Sequence, residues 1–422
     1  MRILVLSPIS PLPIFSGGRT RLFNITRQQA RRHELTFVSF WRHDEEWQGL
    51  QKLAQDLQIR VIPVAFQSKR RLLRHPGRDA LAVARAYGRA WRHGWPAAIP
   101  AWEQGAMFRA LRQELAARRY DILQVEWPYL ASYALQPGMP PAVLITHDVF
   151  SVGIQRRAAL AHDARLHAQA RRWRTYEGMI YARFELVAAM STQDATFIRE
   201  RAPDAHIIIS PNGVDTQRLT PGVIREDAQQ VLFVGSPTHA PNLDAACWLL
   251  REIWPPLQRQ NPHAKLTLVN LKHPKVQQCA AGQQNVRITG RLPELSAVYG
   301  QADVALAPLR AASGTRLKIL EAFALGVPVV STSIGHEGLA VEPGRHLLTA
   351  DTPAAFAAAI QRALRDVALR RELARNGRLL AEQRYDWVRI VDSLDDAYRM
   401  VVHNDTGRNL QSLARQAGRK KE

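Results

Sequence analysis

Residues 303–332 read DVALAPLRAASGTRLKILEAFALGVPVVST. The run opens on a short apolar strand, DVALAP (303–308), and closes on another, VPVVST (327–332). Between them Leu317, Leu320 and Ala324 recur at helical spacing with Phe323 alongside, which predicts a helix that buries one stripe. Its start is expected near Gly314 or Thr315. Gly326 suits the left-handed residue that ends a helix, and Pro328 forbids continuation. Strand, helix and strand in this order make a βαβ unit with parallel strands.

Outward from this unit the same alternation repeats. Further strands are predicted at QVLFVG (230–235), AKLTLVN (264–270) and VRIT (286–289). Towards the amino terminus they are RILVLS (2–7), ELTFVSF (34–40), IRVIPVAF (59–66), DILQVEW (121–127), AVLIT (142–146), ELVAAM (185–190) and HIIIS (206–210). Most are apolar without alternation, as strands covered on both faces must be. The turn-forming SPNGVD (210–215) interrupts the series, and a polar stretch runs from there to about residue 229. The fold class expected is α/β, with two doubly wound Rossmann-like domains facing across a cleft. The boundaries expected are 1–215 for the first domain, 216–385 for the second, 386–405 for a helix returning to the first domain, and 406–422 for a basic tail without fixed structure.

Composition agrees with two cores and narrows the chemistry. The chain has 422 residues, 46% of them hydrophobic, more than one core serves. Cys247 and Cys279 cannot build a disulfide framework, and no Cys/His cluster has zinc-ligand spacing. The amino terminus, MRILVLSPIS, enters a strand without the pattern of a signal peptide, and no run approaches the ~20 apolar residues of a membrane span. A cytoplasmic protein is expected, at most peripheral on the inner membrane face. Lys and Arg number 57 against 37 Asp and Glu, a net +20, which favours a polyanionic partner. Residues 69–102 carry eight Lys or Arg and one acidic residue. There Arg78, Arg85, Arg89 and Arg92 fall within about 60° of one another on a helical wheel, opposite Ala80, Val83, Ala84, Tyr87 and Trp91. Such a helix either docks on anionic lipid or packs its apolar side on the domain beneath it.

Doubly wound sheets bind ligands in the loops after their strands, so site residues are sought there. After DVALAP, Gly314 permits close backbone approach, Thr315 offers a hydroxyl, and Arg316 and Lys318 bring positive charge, a set suited to a phosphate or diphosphate. Glu321 could accept hydrogen bonds from a pair of hydroxyls, or pair with Lys318 at i, i+3; the residues alone leave both open. Gly17 and Gly18 follow the first strand, where their amides could meet a phosphate, and Arg19 and Arg21 just beyond could add charge there. His147 follows AVLIT directly, and Asp148 beside it suits a helix cap. Asp395 and Asp396 fall in a late helix and are expected to face solvent, so no aspartate pair argues for a metal.

GTRLKILEAFALGVPVVSTSIGHEGL, VLFVGSPTHAPNLDAACWLLREIWPPL, VRITGRLPELSAVYGQADVALAPL, PNGVD and the amino-terminal SGGRTRLFNITRQQARRHELTFVSF together resemble the group 1 (family four) retaining glycosyltransferases of the GT-B fold. The resemblance implies a hexosyltransferase moving a sugar from a nucleotide-diphosphate sugar to a polysaccharide, glycolipid or lipid-linked acceptor. It implies that His147 lies against the donor sugar, that Arg316 and Lys318 stabilise the leaving diphosphate, and that Glu321 holds the ribose. Gly17, Gly18, Ser236, Ser313, Gly314 and Thr315 would complete the donor site, with the base near Gly290, Arg291 and Leu292. No metal or cofactor is expected, UDP is favoured as the nucleotide, and no nucleic-acid partner is expected. Two departures stand out. Ser313 occupies the place of the family's first glutamate, and GSPTHAPN (235–242) lacks the usual cations, with His239 alone in their place, so the charge falls to Arg316 and Lys318. The alternatives are a sugar-nucleotide epimerase or hydrolase on the same fold, or a basic nucleic-acid binder.

Overall fold

The computed structural model describes the backbone of residues 1–67, 78–292, 294–311 and 316–419, with side chains through residue 403 except 78–83. The chain divides into two compact units. Unit 1 comprises residues 1–155, 163–210 and 391–422, and unit 2 comprises 156–162 and 211–390. Among the described residues no helix is long and apolar enough to cross a membrane.

Unit 1 is built on seven strands: β1 (Arg2–Ser7), β2 (Glu34–Trp41), β3 (Arg60–Ala65), β4 (Ile122–Glu126), β5 (Ala142–Ile145), β6 (Leu186–Ala189) and β7 (Ile207–Ile209). All pair in parallel in the order β3-β2-β1-β4-β5-β6-β7. The strand sequences explain this: Ile3, Leu4, Val5 and Leu6 are all fully buried, because helices cover both faces. The segment from Val391 onward packs into this unit. Tyr398 donates to Gln124 Oε1 at 2.8 Å, and Asp395 lies 3.0 Å from His33 Nε2 and 3.3 Å from Arg32. Asp395 is therefore buried, against the solvent-facing position expected for it, because the Arg32 guanidinium compensates its charge and the His33 ring packs beside it; Asp396 is exposed and pairs with Arg399. The last helix runs Trp387–Arg419, so its backbone is helical beyond residue 406, where no fixed structure was expected. The segment NLQSLARQA is composed largely of good helix formers.

Unit 2 has six parallel strands: β8 (Gln230–Val234), β9 (Lys265–Val269), β10 (Val286–Ile288), β11 (Val304–Ala307), β12 (Val329–Ser331) and β13 (Leu348–Thr349), in the order β10-β9-β8-β11-β12-β13. β13 is two residues long and carries too little pattern to be read from sequence. The helix of residues 303–332 spans Leu317–Ala324 with Arg316 at its N-cap, later than the start expected from sequence; residues 312–315, where that start was placed, lie outside the described residues. Its end is as read: Gly326 is left-handed, with φ +68. Leu317, Leu320, Phe323 and Ala324 are buried. Helix Val367–Arg384 crosses this stripe so closely that a Cβ on Gly377 would come within 2.6 Å of the Phe323 ring.

The seat of helix Leu317–Ala324 is thus set by the missing side chain at Gly377. Gly377→Val is expected to lower the unfolding free energy by about 1–3 kcal/mol, the usual cost of overpacking. Urea unfolding checks this, and an unchanged or raised midpoint would contradict it.

Candidate active site

In each sheet the chain runs outward from a central strand and then returns to that strand's other side. Ligands bind at the carboxyl ends of the strands flanking such a reversal. In unit 2 these strands are β8 and β11, and in unit 1 they are β1 and β4.

At the unit 2 reversal, Lys318 spans the gap. It stands on the helix that follows β11, and its Nζ donates to Asn242 Oδ1 at 2.9 Å, in the first turn of helix Ala240–Trp248 that follows β8. The ammonium also lies 4.5 Å from the centre of the Phe233 ring. Arg316 is buried beside it. Surrounding protein atoms, then the Arg316 charge, push the Lys318 pKa down to about 7, with Glu321 opposing them. Glu321, one turn on, is pushed up to about 7 by burial, against a hydrogen bond from Tyr299 and the charge of Lys318. The Tyr299 hydroxyl sits between the two, 3.1 Å from the Lys318 carbonyl oxygen and 3.4 Å from Glu321 Oε2. Burial and the charges of Lys318 and Arg316 lower the His239 pKa to about 4, so this histidine is neutral at pH 7 and adds no cation. Arg310, after β11, is held by Asp244 through two hydrogen bonds of 3.1 and 2.7 Å. Ser236 Oγ lies 2.9 Å from Thr238 Oγ1, just after β8. Gly290 and Arg291 follow β10, the first beside open space and the second exposed, while Leu292 packs on the core. Ser313, Gly314 and Thr315 lie outside the described residues.

At the unit 1 reversal, Gly17 and Gly18 open helix Gly17–Ala30, with Ser16 Oγ accepting from the Arg19 amide as its cap. A Cβ on Gly18 would come within 2.8 Å of the Trp127 ring, so glycine here lets the helix start sit against an aromatic. Arg19 and Arg21, read from sequence as charge for a phosphate, are both buried. The first pairs with Glu46 and donates to the Leu12 carbonyl, and the second donates to the Ser210 carbonyl and hydroxyl at 2.9 Å. His147 lies beyond β5 with φ +59 and Trp127 beyond β4 with φ +66, a region that L-residues enter only under constraint. Their rings stack 3.5 Å apart at 5°. His147 Nε2 lies 2.5 Å from Glu126 Oε2. Desolvation lowers the His147 pKa, Glu126 raises it, Arg21 lowers it, and the net shift is downward.

Sequence reading missed Glu126, Trp127, Asn242 and Tyr299. Glu126 did leave a signal: Gln124 and Glu126 stand two apart in DILQVEW, two polar residues on one face of a buried strand. Asn242 and Tyr299 left none, because their role depends on which strands adjoin.

Two family models match successive parts of the chain: Glycosyltransferase Family 4 over residues 15–218, and Glycosyl transferases group 1 over residues 228–366. The chain belongs to the group 1 glycosyltransferases. Among curated proteins it is similar to D-inositol 3-phosphate glycosyltransferase of Geodermatophilus obscurus, 32% identical over 282 residues. That match takes in 61% of this chain and spans 61% of the relative's length. Among solved structures, sucrose-phosphate synthase of Thermosynechococcus elongatus has a TM-score of 0.71 at 17% identity, covering 96% of this chain and all of that one. Anabaena HepE in complex with UDP-glucose has a TM-score of 0.68 at 16% identity, covering 95% and 100%. These two share the fold expected from sequence, two Rossmann-like domains of GT-B type.

Lys318 supplies a stability test that needs no ligand. An unfolded lysine titrates near 10.5 and Lys318 near 7. Between these values the unfolded chain holds a proton that the folded chain has released, so wild-type stability gains as pH rises through the window and loses the gain as pH falls back to about 7. Lys318→Met removes that dependence. Urea unfolding of both proteins at the two ends of the window is expected to show the wild type gaining on the variant at the alkaline end; parallel stabilities would contradict the shift.

Proposed function

We propose that this chain is a retaining glycosyltransferase that moves a sugar from a nucleotide-diphosphate sugar to a polysaccharide, glycolipid or lipid-linked acceptor. The observation that carries the reading is the grouping of Arg316, Lys318 and Glu321 within two turns at the β8/β11 reversal, with Lys318 spanning it. Arg316 and Lys318 meet the diphosphate and Glu321 accepts from the ribose hydroxyls. HepE, which shares the fold, holds UDP-glucose in its complex, and this favours UDP for the present chain.

In the transfer, the bond from the anomeric carbon to the leaving phosphate oxygen breaks. A bond from that carbon to the acceptor oxygen forms on the same face, and the acceptor's proton passes to the departing phosphate. Negative charge grows on the diphosphate as the bond breaks. Arg316 and Lys318 therefore bind the transition state more strongly than the ground state, which is the condition for acceleration. Lys318 has a pKa of about 7, so the incoming dianion draws a proton onto it and raises its charge when the substrate needs it.

Purified protein is expected to be stabilised against heat by UDP, and to turn over one sugar from a panel of UDP-, GDP- and ADP-sugars only when acceptor is present. Glu321→Ala and Arg316→Ala are each expected to abolish the thermal shift. Undiminished shifts in both would remove the donor site from this place, and product formed from the donor without acceptor would favour an epimerase or hydrolase. Lys318 adds a sign: UDP affinity falls as pH rises above about 7, with proton uptake on binding. Calorimetry in two buffers of different ionisation enthalpy reads that uptake, and a smaller uptake is expected in Lys318→Met.

The acceptor class rests on helix Arg78–Arg92 in unit 1. Its buried edge runs through Ala86 and Ala90, whereas Trp91 is 86% exposed with Arg85 and Arg92 also at the surface. A helix that only packs on its domain would turn Trp91 inward. An exposed tryptophan flanked by arginines suits the interface of an anionic membrane, where a lipid-linked acceptor resides. The Lys and Arg residues at 69–74 lie outside the described residues. Wild-type protein is expected to sediment with anionic phospholipid vesicles and not with neutral ones, and Trp91→Ala is expected to weaken that binding. Equal binding by the variant, or none by the wild type, would refute the membrane reading.

A further inference from the structure

Unit 1 buries an unbroken run of polar side chains behind His147. Gln29 Nε2 and the Tyr398 hydroxyl both donate to Gln124 Oε1, at 2.9 and 2.8 Å. Gln124 Nε2 donates to Glu126 Oε1 at 2.5 Å, and Glu126 Oε2 meets His147 Nε2. All five residues are buried, where an unsatisfied polar group costs about 1–3 kcal/mol, so the direction of each hydrogen bond constrains the next.

The direction can be followed from one end. Gln29 and Tyr398 present hydrogens to Gln124, so its carbonyl faces them and its amide faces Glu126. Glu126 Oε1 accepts that amide hydrogen. The carboxylate, in the field of the buried Arg21 guanidinium, turns its second oxygen to the histidine. An ionised carboxylate only accepts, so the imidazole must place a proton on Nε2. The stack on Trp127 fixes the plane of the ring and Glu126 fixes its edge. Nδ1 is left on the opposite edge, with no hydrogen-bond partner among the described residues.

We propose that Glu126 is the positioning residue of His147, holding it as the Nε2–H tautomer so that Nδ1 offers a lone pair to a hydroxyl of the substrate. Gln124, Gln29 and Tyr398 hold Glu126 in turn, which ties the carboxyl-terminal helix to the orientation of a ring at the other end of the run. The role in transfer rests on the glycosyltransferase reading above; the tautomer does not.

The test is nitrogen NMR of the histidine rings in the full-length protein without ligand, with the His147 signal assigned by its absence in His147→Ala. The wild type is expected to show the Nε2–H tautomer at neutral pH. Glu126→Gln is nearly isosteric: its oxygen can keep the hydrogen bond from Gln124, which turns its NH2 towards His147 and reverses the tautomer to Nδ1–H. With an identified donor and acceptor, that variant is expected to lose about ten- to a hundredfold in kcat, on the scale of losing the partner that orients a metal-bound histidine, while UDP binding holds. If the KM for the donor rises along with the loss of kcat, the hydroxyl belongs to the donor sugar; if the KM for the acceptor rises instead, it belongs to the acceptor. A wild-type ring in the Nδ1–H or doubly protonated form would overturn the proposal, and that measurement stands even if Glu126→Gln does not fold. A variant that keeps both the Nε2–H form and wild-type turnover would overturn it too. A wild type that turns over no nucleotide sugar would instead defeat the transfer reading and leave the tautomer result to decide the role of Glu126.

Discussion

A parallel sheet covered on both faces can keep a charge only where its strands end. Inside the strands of both units the side chains are almost wholly apolar, and the chain concentrates its chemistry at their carboxyl ends. Glu126 is the last residue of β4, His147 stands just past β5, and Arg316 and Lys318 follow the loop after β11. The one amide inside a strand of this group, Gln124, survives full burial because three partners meet both its oxygen and its nitrogen. Everything proposed about function descends from this constraint and from the strand order, which decides which ends are neighbours.

Within unit 2 the constraint produces a cationic patch drawn from one side of the reversal. The loop after β8 carries His239 and no lysine or arginine, and that histidine is neutral at pH 7. Positive charge comes instead from the far side of the reversal, where Lys318 reaches to Asn242. An ammonium held at the edge of ionisation is a poor structural cation and a good responsive one: it costs little to bury while uncharged and gains charge when an anion arrives.

The fold was legible because each strand is a short apolar run closed by turn residues, and the opening helix because Leu317, Leu320, Phe323 and Ala324 keep one period up to Gly326. What escaped the sequence was whatever depends on strand order or on a distant partner. Asp395 reads as an exposed residue of a late helix until His33 and Arg32 are seen against it. Arg19 and Arg21 read as added charge near a phosphate until Glu46 and Ser210 are found to hold them. Trp91 belongs to the apolar side of its helix by periodicity, yet the core lies against Ala86 and Ala90. Of the site residues, those carried by local pattern, Lys318 and Glu321, were legible. Asn242 and Tyr299, which give those two their electrostatic character, were not.

The most direct test of the account is a crystal structure of the full chain with UDP. The account predicts the diphosphate at the carboxyl ends of β8 and β11, with an oxygen within hydrogen-bonding distance of Lys318 Nζ and the ribose hydroxyls on Glu321. A diphosphate bound elsewhere, with Lys318 still donating to Asn242 and Glu321 still meeting Tyr299, would contradict it.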